Sequence, residues 1–262
     1  MIDNNTHLQF LFNIGEKKPN SIDNSSTICP FCDTKNLTDI LDREDSIILL
    51  KNKYPTLDNT LQTVIIETDD CDGNMSTYSK QYMRKLIQFG VKHWLNMENN
   101  GEFKSVVFFK NHGPYSGGTI KHPHMQIVGL KNIDYKESLK DEFFEGTVIH
   151  ESDGALINLS SKPRVGFTEF NIIITDMKHV DTMADYVQIA VHFILNNFSA
   201  SCGSFNLFFY HWKDNFICKA IPRYVTSPLF VGYSIPQVSN RMDKVIEKMQ
   251  QLYFNGEKPL GN

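Results

Sequence analysis

No feature constrains this 262-residue chain more than the stretch from Asn111 to Gln126, which reads Asn-His-Gly-Pro-Tyr-Ser-Gly-Gly-Thr-Ile-Lys-His-Pro-His-Met-Gln. Gly113, Gly117 and Gly118 lie between a β-branched and aromatic run, Ser105 to Phe109, and a second apolar run, Met125 to Leu130. That pattern predicts strand, glycine loop, strand. Glycine lets the backbone approach a ligand closely and turn its amides toward an anion. Alternate residues of a strand share a face, so His122, His124 and Gln126 are expected to project together toward whatever the loop holds. Taken alone, a His-x-His pair fits either two ligands of one metal or a polar sheet face.

The combination is more specific than its parts. The Asn-x-Gly start, the Gly-Gly-Thr and the His-Pro-His-x-Gln end resemble, at the same spacing, the signature of the galactose-1-phosphate uridylyltransferase family. That family is a branch of the histidine-triad (HIT-like) superfamily, which also includes dinucleoside-polyphosphate phosphorylases. The resemblance implies that His124 is a nucleophile that attacks the α-phosphorus of a nucleotide and becomes a covalent nucleotidyl-histidine. It implies that His122 is a zinc ligand, that Gln126 contacts the phosphoryl group, and that Asn111, Gly113, Gly117, Gly118 and Thr119 lie along the phosphates. Met125 and Lys121 depart from the glycine and proline usual in the family, and Thr119 replaces serine.

Gln126 carries an argument of its own. Histidine-triad hydrolases have a third histidine there, able to move a proton, whereas an amide donates and accepts hydrogen bonds without titrating. A nucleotidyl-histidine beside Gln126 is therefore expected to wait for an acceptor phosphate or sugar phosphate, which favours a transferase over a hydrolase. Two other functions remain open: a phosphorylase or hydrolase of dinucleoside polyphosphates, and a zinc-stabilised nucleotide-binding protein without turnover.

A second motif is Cys29-Pro30-Phe31-Cys32. On its own a Cys-x-x-Cys is a redox pair, half of a zinc site, or incidental. The chain holds five cysteines, an odd number, which fits a reduced compartment and a metal site better than a disulfide framework. In the resembling family a third zinc ligand follows a strand in a Glu-Thr-Pro-Asp-His segment, and this chain has Glu67-Thr68-Asp69-Asp70-Cys71 at that place. The resemblance thus implies a structural zinc held by Cys29, Cys32, Cys71 and His122. Thiolate and imidazole both suit tetrahedral zinc, and four protein ligands leave no place for water.

The remaining sequence supports an α+β fold of two pseudo-repeated HIT-like modules, with a mainly antiparallel sheet and helices packed on it. Strands are expected at Ser46 to Leu50 and Leu61 to Thr68, and a helix at Ser76 to Met97, capped by Ser76 or Thr77. The unit then recurs: Glu169 to Thr175, a helix over Met183 to Phe198, Phe205 to Tyr210 and Phe216 to Ile221. Lys131 to Glu145 reads as a polar helix, Thr147 to Ile149 and Ala155 to Leu159 as short strands, and Pro236 to Tyr253 as an amphipathic helix. The organisation read from this is an N-terminal arm over 1–28, a first module over 29–130, a linker over 131–165, and a degenerate second module with its helix over 166–262. Where the family's second half often carries a His-x-His before Ile/Leu-Pro-Arg, this chain has Asn215 to Ala220 before Ile221-Pro222-Arg223, so a second metal is not expected there. Lys219 and Arg223 read as an exposed basic pair, or as contacts to an acceptor or partner.

Hydrophobic residues at 41% and charged ones at 21% are ordinary for a folded protein. A net charge of −4 gives no basic surface of the kind nucleic acid needs, so a nucleotide or nucleotide sugar would be held locally, by the glycine loop and by Lys104, Lys110 or Lys121. No apolar run reaches the roughly 18 residues of a membrane span and the start is polar, which makes the cytoplasm the expected location. Members of the resembling family often pair, so a homodimer is also expected.

Overall fold

The computed structural model describes residues 6–22, 29–199 and 202–255. Parts of the N-terminal arm and of the C-terminal tail lie outside them. The chain divides into two compact units, one of residues 1–73, 89–110 and 117–138, the other of 74–88, 111–116 and 139–262.

The first unit is built on strands β1 (Ile40–Glu44), β2 (Ile47–Lys51), β3 (Thr60–Ile66), β4 (Ser105–His112, up to Lys110 in this unit) and β5 (His124–Leu130), in the order β1-β2-β3-β5-β4. Each pairing is antiparallel. β3 and β5 register Ile66 against His124 and Val64 against Gln126, while β4 sets Phe109 against Gln126. A short helical turn, α1 (Phe12–Gly15), precedes the sheet, and the arm is tied to it by the Phe10–Leu57 bridge. The polar edge strand β1 escapes a search for hydrophobic periodicity because four of its five residues are exposed. Asp45, in the left-handed region at φ 54°, closes its hairpin with β2.

Helix α2 (Lys80–Asn99) starts later than the spacing of its apolar residues suggests. Ser76 and Thr77 are taken up by a turn on Asn74, which receives the Ser76 N–H at its side chain and the Thr77 hydroxyl at its carbonyl. Ser79 is the capping residue instead, its hydroxyl accepting the Tyr82 N–H at 3.2 Å. The C-terminal half of α2 lies on the sheet of the first unit. Trp94 donates to the Val106 carbonyl at 3.0 Å, and a Cβ at Gly90 would stand 2.5 Å from the Phe108 ring, so only glycine allows this approach.

The second unit contains β6 (Gly146–Ser152), β7 (Ala155–Ser160), β8 (Phe170–Ile174), β9 (Phe205–Trp212) and β10 (Asn215–Pro222), ordered β9-β10-β8-β7-β6, again antiparallel. Helix α3 (Val180–Phe193) packs on it through Met183, Ala184, Val187, Ala190 and Val191, all buried. The N-terminal half of α2 is tied to α3 by Arg84, whose guanidinium grips Asp185 through two bonds of 2.8 and 2.6 Å.

Two helical expectations are corrected. Residues 131–145 form two 3-10 turns, Tyr135–Ser138 and Asp141–Phe143, because the Asp134 carboxylate captures the Lys136 N–H and competes with a regular helix. The last helix, α5 (Met242–Tyr253), begins six residues after Pro236. Before it come a short helix, α4 (Pro228–Tyr233), capped by Ser227, and an open segment fastened where the Ser239 N–H donates to the Phe167 carbonyl. Lys219 also differs from its reading as an exposed residue. It is 1% exposed and bonded to the Glu169 carboxylate at 2.9 Å and the Phe143 carbonyl at 2.7 Å.

Candidate active site and metal centre

β5 begins at His124, so His122 lies in the preceding loop rather than on the strand. Pro123 separates them, and its carbonyl accepts the Glu67 N–H, which docks this loop on the end of β3. His122 is fully buried, with Nε2 at 2.8 Å from the Thr68 carbonyl. A carbonyl only accepts, so Nε2 carries the proton and Nδ1 keeps the lone pair. That Nδ1 faces Cys29 Sγ and Cys32 Sγ, each at 3.6 Å.

Cys71 joins them: the ligating atoms of Cys29, Cys32, Cys71 and His122 all lie within 4.8 Å of one another. These residues can hold a metal ion. A tetrahedral centre with metal–sulfur bonds of about 2.3 Å and metal–nitrogen bonds of about 2.05 Å has a sulfur-to-nitrogen edge of about 3.6 Å. The two His122 separations match that edge. Electrostatics point the same way. Burial, then the neighbouring thiols, pushes the Cys71 thiol up to about 12, and burial followed by Cys29 raises Cys32. Crowded thiols that resist ionising are what a divalent cation relieves.

The nucleophile candidate sits two residues on. His124 is 7% exposed, and its Nδ1 lies 2.8 Å from the His122 carbonyl. By the same logic Nδ1 is the protonated nitrogen, leaving the Nε2 lone pair for chemistry. Burial, with the positive charges of Lys110 and Lys18 adding to it, brings its pKa down to about 4. The imidazole is neutral near pH 7, as a nucleophile must be. Phe31, inside the Cys-x-x-Cys loop, sets its ring edge-on to both histidines, at 5.9 Å from His122 and 5.5 Å from His124. The loop that carries two of the metal-ligand candidates therefore also packs against the nucleophile candidate.

One feature here was not legible as a site element. Lys18, in the N-terminal arm, acts electrostatically on His124, and its own pKa is lowered by burial. The only sequence trace was the Lys-Lys-Pro that ends the arm's apolar run. Lys110, expected from the sequence as one of the cations that hold a nucleotide, instead pairs its ammonium with the Glu67 carboxylate, both fully buried, and donates to the His124 carbonyl at 3.4 Å.

Thr119 Oγ1 is buried without a hydrogen-bond partner among the described residues, an acceptor and donor left for something else. Its carbonyl accepts the N–H groups of Ser21 and Ile22, and Ser21 Oγ accepts the Lys121 N–H at 2.9 Å, so the arm runs beside this part of the loop. Gly117 has φ +84° with open space where a Cβ would stand, and Gly118 and Thr119 follow in irregular backbone.

Asn111 and Gly113 belong to the second unit and have partners there. Asn111 Oδ1 accepts from Asn206 Nδ2 at 2.7 Å. Gly113 has φ +79°, and a Cβ on it would strike the Gly203 carbonyl at 2.3 Å, so no other residue fits. Ser116 closes a turn on the Gly113 carbonyl through its hydroxyl at 2.7 Å.

A mixed α+β fold with antiparallel strands and a His-x-His-x-Gln run that leads from a loop into a strand defines the class: this is the architecture of the uridylyltransferases. A solved uridylyltransferase matches with a TM-score of 0.68 at 13% identity, covering 85% of this chain and 90% of that one. An ADP-glucose phosphorylase from Arabidopsis thaliana, solved with bound ADP-glucose, matches at 0.72 and 15% identity, covering 92% and 93%. These likenesses are of fold. Within sequence, 101 residues are 26% identical to the galactose-1-phosphate uridylyltransferase of Streptomyces lividans, and the chain spans only 28% of that relative's length.

More narrowly, the chain belongs to the DUF4931 family, a family of unknown function. Its N-terminal domain model matches residues 10–133 and its C-terminal domain model residues 136–254. A DUF4931 family protein from Bacillus cereus is 49% identical, with a TM-score of 0.74 over 80% of this chain and 97% of that one. Among the described residues no helix is long and apolar enough to cross a membrane.

Proposed function

We propose that this chain is a nucleotidyltransferase that works through a covalent nucleotidyl-histidine on His124. The observation that carries the reading is the bond from His124 Nδ1–H to the His122 carbonyl, which leaves a neutral ring with its Nε2 lone pair available. Nε2 attacks the α-phosphorus of a nucleotide-sugar-like donor, the bond to the leaving phosphate oxygen breaks, and that oxygen departs with the electron pair. A phosphate or sugar-phosphate oxygen then attacks the same phosphorus, and the bond to Nε2 breaks. Such displacement places charge on the non-bridging oxygens, which calls for fixed donors and cations.

Gln126 and the buried hydroxyl of Thr119 are assigned to those oxygens, and the charge of Lys18, felt at His124, adds to them. Asn111, Gly113, Gly117 and Gly118 are assigned to the phosphates by the motif they share with the uridylyltransferases. Gln126 cannot titrate, so it offers no proton path for water, and transfer is favoured over hydrolysis.

Zinc is the metal that suits three thiolates and an imidazole at tetrahedral spacing, held by Cys29, Cys32, Cys71 and His122. With four protein ligands its contribution would be to lock the His122 loop, and hence the carbonyl that orients His124, rather than to activate water.

Steady-state kinetics with a nucleotide-sugar donor and a sugar-phosphate acceptor test the reading. Parallel lines in double-reciprocal plots, and loss of turnover by at least about a thousandfold in His124→Ala, are expected. Intersecting lines with full turnover in His124→Ala would overturn it.

A further inference from the structure

The second unit holds neither His122 nor His124, yet one polar chain in it ends on a residue assigned to the phosphates. Arg223 Nη1 donates to Asn206 Oδ1 at 3.0 Å, and Nη2 donates to Thr226 Oγ1 at 3.2 Å. The Arg223 N–H also donates to the Ser204 carbonyl at 2.8 Å, which holds the end of β10 in place. Asn206, on β9 and 1% exposed, donates from Nδ2 to the Ser116 carbonyl at 3.0 Å and to Asn111 Oδ1 at 2.7 Å.

Which way each amide points follows from chemistry. A guanidinium only donates, so the Asn206 oxygen must face Arg223. A backbone carbonyl only accepts, so the Asn206 nitrogen must face Ser116. Both constraints select the same orientation, and together they require Asn111 to meet Asn206 with its oxygen. The Asn111 NH2 group is thereby turned away from Asn206. A flip at Asn111 would set two NH2 groups against each other and leave buried donors without acceptors.

We infer that Arg223 and Asn206 are positioning residues that hold the Asn111 side chain with its NH2 donors, not its oxygen, presented to a phosphate. The inference rests on the proposed nucleotidyl transfer, since it supposes that Asn111 meets an anion. In this reading the Ile221-Pro222-Arg223 segment sets the polarity of one amide. Asn206 is buried and Arg223 acts through it, so neither is assigned a contact with substrate.

The test is Asn206→Asp. A carboxylate still accepts from Arg223, but it has no proton to give Asn111, whose NH2 then turns inward and whose oxygen turns toward the ligand. Binding of ADP-glucose and of UDP-glucose is measured by titration calorimetry, with the melting temperature as a check on folding. The expected result is a loss of affinity of about ten- to a hundredfold for whichever nucleotide sugar the wild type binds. The same substitution should cause no further loss in an Asn111→Ala background. Unchanged affinity in Asn206→Asp, or an equal loss in the Asn111→Ala background, would overturn the inference. Should Asn206→Asp fail to fold, the near-isosteric Asn206→Leu decides on the same readout, because it removes the donor that Asn111 Oδ1 accepts from and so frees the Asn111 amide to rotate, and unchanged affinity there overturns the inference. A wild-type protein that binds neither nucleotide sugar would remove both this inference and the nucleotide-sugar donor assigned in the proposed function. Wild-type binding with no effect of the variants would remove the inference alone.

Discussion

Replacing Lys110 by methionine tests the account of what lies under the nucleophile strand. The Lys110 ammonium and the Glu67 carboxylate are 1% and 0% exposed, and no solvent reaches either. Methionine retains most of the length of lysine and fills the space, so the loss is electrostatic rather than a cavity. It strands the Glu67 carboxylate in a low-dielectric interior, which costs about 3–5 kcal/mol. For a chain of this size each kcal/mol moves the melting temperature by about 2–4 °C, so a fall of roughly 6–20 °C is expected. The double variant Lys110→Met/Glu67→Leu removes both charges and should return to within about 1 kcal/mol of the wild type, because a buried ion pair adds little over an apolar pair of like volume. Thermal melts followed by circular dichroism on the four proteins of the cycle give the coupling directly. A single variant that loses less than about 1 kcal/mol, or a double variant no more stable than Lys110→Met, would refute the reasoning.

The metal centre and the glycine loop make further predictions. One zinc per chain is expected by elemental analysis, and stripping it with a strong chelator should make Cys29, Cys32 and Cys71 reactive toward a thiol reagent while the buried Cys202 and Cys218 stay protected. Equal reactivity of all five thiols before and after chelation would contradict the site. Gly113→Ala and Gly117→Ala should separate sharply. Both impose left-handed backbone strain of about 1–2 kcal/mol, but only at Gly113 does the new Cβ meet backbone, at 2.3 Å from the Gly203 carbonyl. Gly113→Ala is therefore expected to lose stability well beyond that strain, and similar melting temperatures for the two would count against the loop geometry.

Much of this fold was legible because its signals are local. The hairpin of β4 and β5 announces itself by two apolar runs flanking glycines, and α2 and α3 by apolar spacing at helical period. Cys29, Cys32, Cys71 and His122 were grouped from a family likeness, and the structure brings their ligating atoms together. What was not legible depends on partners distant in sequence. The Lys110–Glu67 and Lys219–Glu169 pairs are buried charges, and a lysine in a strand reads as exposed unless its carboxylate is known. The electrostatic influence of Lys18 on His124 spans more than a hundred residues of chain and has no periodic trace. The start of α2 slipped because Asn74, Ser76 and Ser79 are all able to end a turn or cap a helix, and only the competition among their side-chain bonds decides. The role inferred for Asn206 has the same origin: an asparagine in a strand is silent until the guanidinium facing it fixes which end of the amide is which.

The most direct measurement is intact-protein and peptide mass spectrometry after brief incubation with UDP-glucose, ADP-glucose or a diadenosine polyphosphate, quenched at alkaline pH to preserve a phosphoramidate. The account predicts a mass increase of one nucleoside monophosphate for at least one donor, located on His124, absent in His124→Ala, and discharged when a sugar phosphate or inorganic phosphate is added. Turnover of a donor without any adduct on His124, or an adduct on another residue that persists in His124→Ala, would contradict it.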